Sequence, residues 1–291
     1  MAALKELKSR IATVRNTLKI TSAMKMIATA KFHRVQSSML AVSEYWDALS
    51  GTAAALCGTG GDGPAVPLAS GHKGRKKALL VAISSDTSLC GSFNANLLKK
   101  LSEEADSMAR EGYSQVTVLP IGEKAVKAVQ KAGWACNLDY RALSGGPLSF
   151  SSVCPLADFL MDSYIREETD NVCMVYSHFY SMGRQLPVAE QLLPLGYGNS
   201  GPASTGLQGT DYIVEPRSGE LLASILPAAV RTALYKALLD SVTAENAARM
   251  LAMQTASDNA EDLLDELSLE YNKTRQQAIT DELADIVSGM S

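Results

Sequence analysis

The sequence predicts an α/β protein in which two long terminal helices pair as an antiparallel coiled coil and a compact α/β domain lies between them in the chain. Three observations predict it. The first 56 residues carry an apolar repeat of alternating three- and four-residue steps, residues 228–287 contain neither proline nor glycine, and strand-like and helix-like segments alternate in between.

The repeat runs through Leu4, Leu7, Ile11, Val14, Leu18, Thr21, Lys25, Ala28, Phe32, Val35, Met39, Val42, Trp46, Leu49, Ala53 and Leu56, with only Thr21 and Lys25 polar. A narrow stripe of period 3.5 with no proline or glycine before Gly51 marks a coiled-coil strand; the surface helix of a globule shows a broader stripe of period 3.6. At about 1.5 Å per residue such a helix is on the order of 80 Å long. Residues 1–57 are therefore assigned to an N-terminal coiled-coil helix. The next segment, CGTGGDGPAVPLASGHKGRKK, is rich in glycine and proline and small polar residues, which stop a helix and bury little, so 58–75 is expected to be a flexible connector.

From Lys76 the run ALLVAIS has the length and composition of a buried strand; a loop, SSDTSLCGS, and a helix from Phe93 to about Arg110 follow. The alternation continues with strand-like QVTVLPI, a helix over 122–132, a helix over 155–168 and strand-like NVCMVYSHF. This pattern predicts a Rossmann-like α/β domain on a largely parallel sheet over 76–210. RQLPVAEQLLPL is expected at an edge, because Pro187 cannot donate to a ladder on both sides.

A loose segment, GYGNSGPASTGLQGT, precedes the last part of the chain, 211–291. Here SGELLASIL predicts a short helix and Pro227 the first turn of a new one, which 228–287 allows to extend for about 90 Å. Its heptad is alanine-rich early (Ala229, Ala233, Ala237, Ala244, Ala248) and firmer later (Met253, Ala260, Leu264, Leu267, Tyr271, Ala278). Two such helices bury their stripes by pairing antiparallel into a stiff rod. Charge favours the pairing: residues 1–34 hold Lys5, Lys8, Arg10, Arg15, Lys19, Lys25, Lys31 and Arg34 against Glu6, whereas 256–291 holds Asp258, Glu261, Asp262, Asp265, Glu266, Glu270, Asp281, Glu282 and Asp285 against Lys273 and Arg275. Each exposed pair contributes only about 0.2–1 kcal/mol, so apolar burial supplies most of the stability and charge supplies selection.

With 27 basic and 31 acidic side chains the formal charge is −4, too balanced for a nucleic-acid or membrane-surface patch. Cys57, Cys90, Cys136, Cys154 and Cys173 form an odd, scattered set without C-x-x-C, which suggests neither a disulfide framework nor a thiolate metal site and fits a reducing cytoplasm. His33, His72 and His178 lie far apart in sequence without metal-ligand spacing, so no metal is expected. No apolar run is read as long enough to cross a bilayer, and the amino terminus opens on a helical pattern rather than a signal or transit segment.

Four stretches carry a family likeness: KITSAMKMIATAK (19–31), SSDTSLCGSFNANL (84–97), ENAARMLAMQTASDNA (245–260) and YNKTRQQAITDELADIVSG (271–289). In order and spacing they resemble the gamma subunit of the bacterial F-type rotary ATP synthase, over essentially the whole chain. The last is the most specific, since a heptad alone does not demand Tyr-Asn-Lys followed by Arg-Gln and Ile-Thr. The resemblance implies a non-catalytic central rotor shaft. It would stand inside a ring of three alpha and three beta subunits, with its α/β foot against the epsilon subunit and the c-ring. It would couple proton or sodium transport to ATP synthesis while the catalytic residues stay on the beta subunits. No cofactor is implied, no nucleic acid is a partner, and membrane association is indirect, through the c-ring on the cytoplasmic face of the bacterial plasma membrane.

The resemblance also implies sites. Met24 matches a coupling-sensitive methionine next to Lys25, a lysine whose stem could otherwise simply snorkel past its partner helix. Arg275, Gln276 and Thr280 share one side of the last helix; spacing alone reads them as solvated polar residues, and the motif Arg-Gln-x-x-Ile-Thr reads them, with Arg249, as a beta-subunit contact. Tyr212 and Glu215, in DYIVEP, either cap a turn or contact epsilon or the c-ring. The dithiol insertion of chloroplast members is absent, and the chain ends at Met290-Ser291 without the family's small-residue tail.

Two other classes compete. SDTSLCGS follows a strand and precedes a helix, so a free-standing α/β nucleotide-binding enzyme with a coiled-coil arm is the alternative, although neither G-x-G-x-x-G nor G-x-x-x-x-G-K-[ST] is present. A vacuolar-type stalk subunit would share the helix pair but not an α/β domain of this size.

Overall fold

The computed structural model describes residues 2–58, 68–69, 71, 77–140, 143, 148–196 and 218–289. The elements are α1 (Ala2–Gly58), β1 (Lys77–Ile83), α2 (Phe93–Arg110), β2 (Gln115–Ile121), α3 (Glu123–Ala132), α4 (Phe150–Ile165), β3 (Asn171–Ser181), β4 (Arg184–Leu193) and α5 (Ser218–Gly289). Contacts divide the chain into two units, one of residues 1–30 with 249–291 and one of residues 31–248.

The first unit is the helix pair. Leu7, Thr21 and Ala28 on α1 and Met253, Ser257, Ala260 and Leu267 on α5 are buried, with Leu4, Ile11, Val14, Leu18, Leu264, Tyr271 and Ala278 half-buried between them. The period-3.5 stripe read from the sequence is therefore the covered face. The polar break in it has a partner: the Thr21 and Ser257 hydroxyls meet at 2.8 Å, and Thr21 Oγ1 donates to the Leu18 carbonyl at 3.1 Å. A hydroxyl has one proton to give, so Ser257 is the donor across the seam. Counting outward from this rung along two antiparallel heptads sets Leu18 opposite Ala260, Val14 opposite Leu264, and Lys25 opposite Met253, whose flexible thioether suits a snorkelling stem. Among the described residues no salt bridge joins the basic residues of 1–34 to the acidic residues of 256–291. The reason is weak driving force, since an exposed pair must immobilise two long side chains for a Coulomb energy that water screens.

The second unit is a three-layer α/β structure around a four-stranded sheet of order β2-β1-β3-β4. β1 pairs parallel with β2 and β3, and β4 closes the edge antiparallel to β3, with Pro187 opposite Ser177. The sheet is thus mixed, its one antiparallel strand being the edge segment that proline confines there. Side chains alternate with period 2. Leu79, Val81, Ile83, Leu119, Ile121, Val172 and Met174 face α4, α5 and the end of α1 at Ala53 and Leu56. Ala78, Leu80, Ala82, Val118, Cys173 and Val175 face α2 and α3. A leucine buried to the extent of Leu80 contributes roughly 1.5–3 kcal/mol, so both layers are held by the same apolar burial.

Several expectations need correction. α4 begins at Phe150, not Pro155, because Ser149 and Ser152 form a reciprocal capping box; Pro155 lies inside the helix, and α4 ends at Ile165, not Glu168. α5 is one helix from Ser218 with Pro227 inside it, rather than a short helix followed by a new one. Proline there forfeits one backbone bond, a loss of roughly 3 kcal/mol that burial of Leu222, Leu226, Val230 and Leu234 offsets. An 18-residue window of α5 has a mean hydropathy of 1.3, apolar enough by composition to span a bilayer, contrary to the sequence reading. Leu68, within the expected connector, is buried in the core, and its carbonyl accepts the Leu195 N–H at 2.9 Å. Its leucine side chain is the one large apolar group in a glycine-rich stretch, which is why composition hid it.

Candidate functional site

The sequence nominated the loop after β1 and several positions on the two long helices. In the loop, the Ser84 and Asp86 side chains serve the fold, as caps on the neighbouring helix α3. The α3 N-terminus donates Glu123 N–H to Asp86 Oδ1 at 3.1 Å and Ala125 N–H to Ser84 Oγ at 2.8 Å. Gly122 makes this possible. Its φ is +91°, and a Cβ there would lie 2.3 Å from the Ser84 carbonyl oxygen. Asn94 Nδ2 donates to Ser85 Oγ at 2.8 Å and approaches Cys90 Sγ at 3.1 Å, while Lys124 Nζ donates to Ser88 Oγ at 2.8 Å. Cys90 is buried against Phe93 and Ala244. The loop is stapled to α3 from both sides and holds Leu89 in the left-handed region, φ +67°, with its side chain 57% exposed.

On the helix pair, Met24 and Lys25 are half-buried, and the next two residues, Met26 and Ile27, are 70% and 58% exposed. Arg249 is buried on α5. Arg275, Gln276 and Thr280 are exposed, and Thr280 Oγ1 donates back to the Gln276 carbonyl at 3.0 Å, leaving the Gln276 amide and the Arg275 guanidinium pointing outward. From Arg249 to Arg275 is about 40 Å along α5 at 1.5 Å per residue. The nominated residues therefore lie in two groups along the helix pair rather than together. Tyr212 and Glu215 lie outside the described residues.

The fold also brings together a buried acid and a partly exposed histidine that are far apart in sequence. Asp240 on α5, 1% exposed, accepts the Phe179 backbone N–H at 2.9 Å through Oδ1 and meets His178 Nδ1 through Oδ2. Burial pushes its carboxyl above the ordinary aspartate value, and the bonds from His178 and Phe179 oppose that rise. No other histidine lies near His178 in sequence, so metal-ligand spacing gives no signal there. The signal available was Asp240 itself, a lone acid within the apolar run Ala237–Val242. Nearby, burial and the Glu190 carboxylate raise the Tyr176 hydroxyl, which donates to Glu190 Oε2 at 2.7 Å, and burial pushes the Cys173 thiol up to about 12. These are packing positions, not nucleophiles.

The sequence pattern that defines the ATP synthase family matches residues 3–291. The ATP synthase gamma chain of Parabacteroides distasonis is 42% identical over 99% of this chain and 98% of its own length. This chain belongs to the ATP synthase gamma-chain family. The ATP synthase gamma chain of Bacteroides fragilis is 39% identical over 99% of both chains. Among solved structures, a chain of the Euglena gracilis mitochondrial ATP synthase assembly of OSCP, F1 and c-ring superposes with a TM-score of 0.65, at 16% identity over 99% of this chain and 94% of that one. A chain of the rotor of the same synthase gives 0.60, at 17% identity over 96% of this chain and 99% of that one. At such identities the likeness is one of fold, terminal helices and mixed sheet together.

Proposed function

We propose that the chain is the central rotor shaft of an ATP synthase, which transmits torque between a membrane ring of c subunits and a catalytic hexamer of alpha and beta subunits. It is a non-catalytic subunit, and the catalytic sites lie on beta. The observation that carries this reading is full-length membership of the gamma-chain family together with a terminal helix pair whose seam is covered and whose outer surface is not. A pair of helices stiffened by a continuous seam resists twist, and exposed Met26 and Ile27 beside it offer an apolar, one-sided surface that a surrounding subunit can follow.

Within that reading, Met24, Lys25 and Arg249 form one beta-contacting station and Arg275, Gln276 and Thr280 the other. Each hydrogen bond to a charged group is worth roughly 1.5–3 kcal/mol, strong enough to register a rotational position and weak enough to release. Residues 1–57 and 211–291 serve as the shaft and 76–210 as the foot, with Tyr212 and Glu215 toward epsilon or the c-ring. The complex works at the membrane, and the chain sits on its cytoplasmic face.

The test is assembly. Purified chain mixed with alpha and beta subunits should co-elute as one particle with three of each, and adding epsilon and the c-ring should extend it. Failure to associate, together with tight ATP binding by the isolated chain, would instead favour the enzyme alternative.

A further inference from the structure

Three polar ties fasten α5 to the sheet and its flanking helix within about three helical turns, and they differ in kind. Arg231 Nε reaches Asp158 Oδ1 on α4 at 2.8 Å, with both side chains partly exposed. Ser241 Oγ donates to the Ile83 carbonyl of β1 over a long 3.4 Å. Asp240 is buried and uses both oxygens, one on the Phe179 N–H and one on His178 Nδ1, so that a single carboxylate holds two consecutive residues of β3.

The surrounding packing, Val230, Leu234 and Leu238 against the sheet, is non-directional, so it fixes the register of the helix less sharply than a hydrogen bond does. A hydrogen bond to a carboxylate is directional and fails within fractions of an ångström. A buried carboxylate also carries a desolvation cost that an apolar residue of similar volume would not, so stability alone gives no reason for it here. Phe179 adds a second restraint at the same point, its ring tilted against that of Phe32 on α1 at a centroid distance of 5.3 Å. Asp240 thus sits where β3 and α5 meet, with α1 close by.

We propose that Asp240 is a positioning residue of the rotor: it clamps α5 to β3 so that twist applied to the α/β unit enters the helix without slippage. The proposal rests on the shaft reading above. Sliding by a single residue would part the carboxylate from the Phe179 N–H and leave the buried Asp240 without that partner, so the clamp makes the joint stiff rather than compliant.

The experiment uses the assembled complex carrying the full chain, with ATP hydrolysis and ATP-driven uptake of protons or sodium into vesicles measured on one preparation. The unsubstituted chain should give both activities. If it supports no ion uptake in either ion, the shaft reading itself fails, independently of the clamp. Asp240→Ala should keep hydrolysis and lose most of the ions moved per ATP. Asp240→Asn should restore them, because its amide oxygen still accepts from Phe179 and its amide nitrogen donates to the other His178 tautomer. Lost packing alone would lower the melting temperature and the yield of complex without changing ions per ATP. Should Asp240→Ala not assemble, His178→Ala, which removes one of the two donors from a partly exposed ring, should show a partial loss of the same ratio. Normal ions per ATP in Asp240→Ala, or in His178→Ala where the former does not assemble, overturns the proposal, as does an Asp240→Asn complex no better coupled than Asp240→Ala.

Discussion

Replacing Thr21 by valine removes one hydroxyl from the helix seam without changing its shape. In the native pair Ser257 donates across the seam to Thr21 Oγ1 at 2.8 Å, both residues being buried. The valine leaves the Ser257 proton facing a methyl group. Stranding a buried donor costs about 1–3 kcal/mol, and a helical serine recovers part of that by turning back to its own helix, so the expected loss is near the lower end, about 1 kcal/mol. Adding Ser257→Ala removes the stranded group, so the double variant should regain most of the loss, a coupling of about 0.5–1 kcal/mol. The assay is native-state hydrogen exchange of residues 2–30 and 249–289 in the full chain, which reports opening of that unit separately from global unfolding. Strict additivity, with a coupling within about 0.3 kcal/mol of zero, would refute the claim that these hydroxyls satisfy one another.

Gly122→Ala should destabilise the α/β unit by roughly 2–4 kcal/mol, since it forces a side chain into the left-handed region and against the Ser84 carbonyl, dislodging the caps on Glu123 and Ala125; a shift in the urea midpoint below about 1 kcal/mol would show that the loop yields freely. Asp240 titrates above its ordinary 3.8 because it is buried, so its ionised form subtracts stability at neutral pH, and that loss is recovered as pH falls through the raised value, levelling off below 3.8. Relative to Asp240→Asn, the native chain should therefore gain stability on acidification in urea titrations across that window, and the opposite slope would contradict the assignment. Arg275→Glu with Gln276→Leu should lower ATPase coupling in the assembled complex while leaving circular dichroism and melting of the free chain unchanged; unaltered pumping per ATP would remove these residues from the contact. Cys173, its thiol pushed up to about 12, should resist alkylation at pH 8 until the chain is unfolded, as peptide mass spectrometry of the folded protein can check.

Much of the architecture was legible because it is written locally. The apolar stripe from Leu4 to Leu56 is half-buried or buried at every position, and the runs KALLVAI, QVTVLPI and NVCMVYSHF became strands at their expected places. Misreadings arose where a local signal was outweighed. Pro155 and Pro227 read locally as helix starts, but a serine capping box and a buried leucine face carry the helices through them. The opposite charges of the two ends act as selection rather than as fixed bridges, because solvent competes too well for exposed side chains to be held together. The nominated contact residues Arg275, Gln276 and Thr280 are legible only through motif, because a polar face on an exposed helix carries no periodicity of its own.

The sequence by itself determined the main element types, the two apolar stripes and the family, because periodicity and motif depend on neighbours along the chain. Only the tertiary structure decided that Thr21 meets Ser257, that the loop after β1 caps α3, and that His178 and Asp240 share a proton-donating contact. These partners are separated by 236, 41 and 62 residues. No local pattern constrains groups so far apart. What selects them is that a buried polar atom must find a partner, and which partner is within reach is a property of the packed fold.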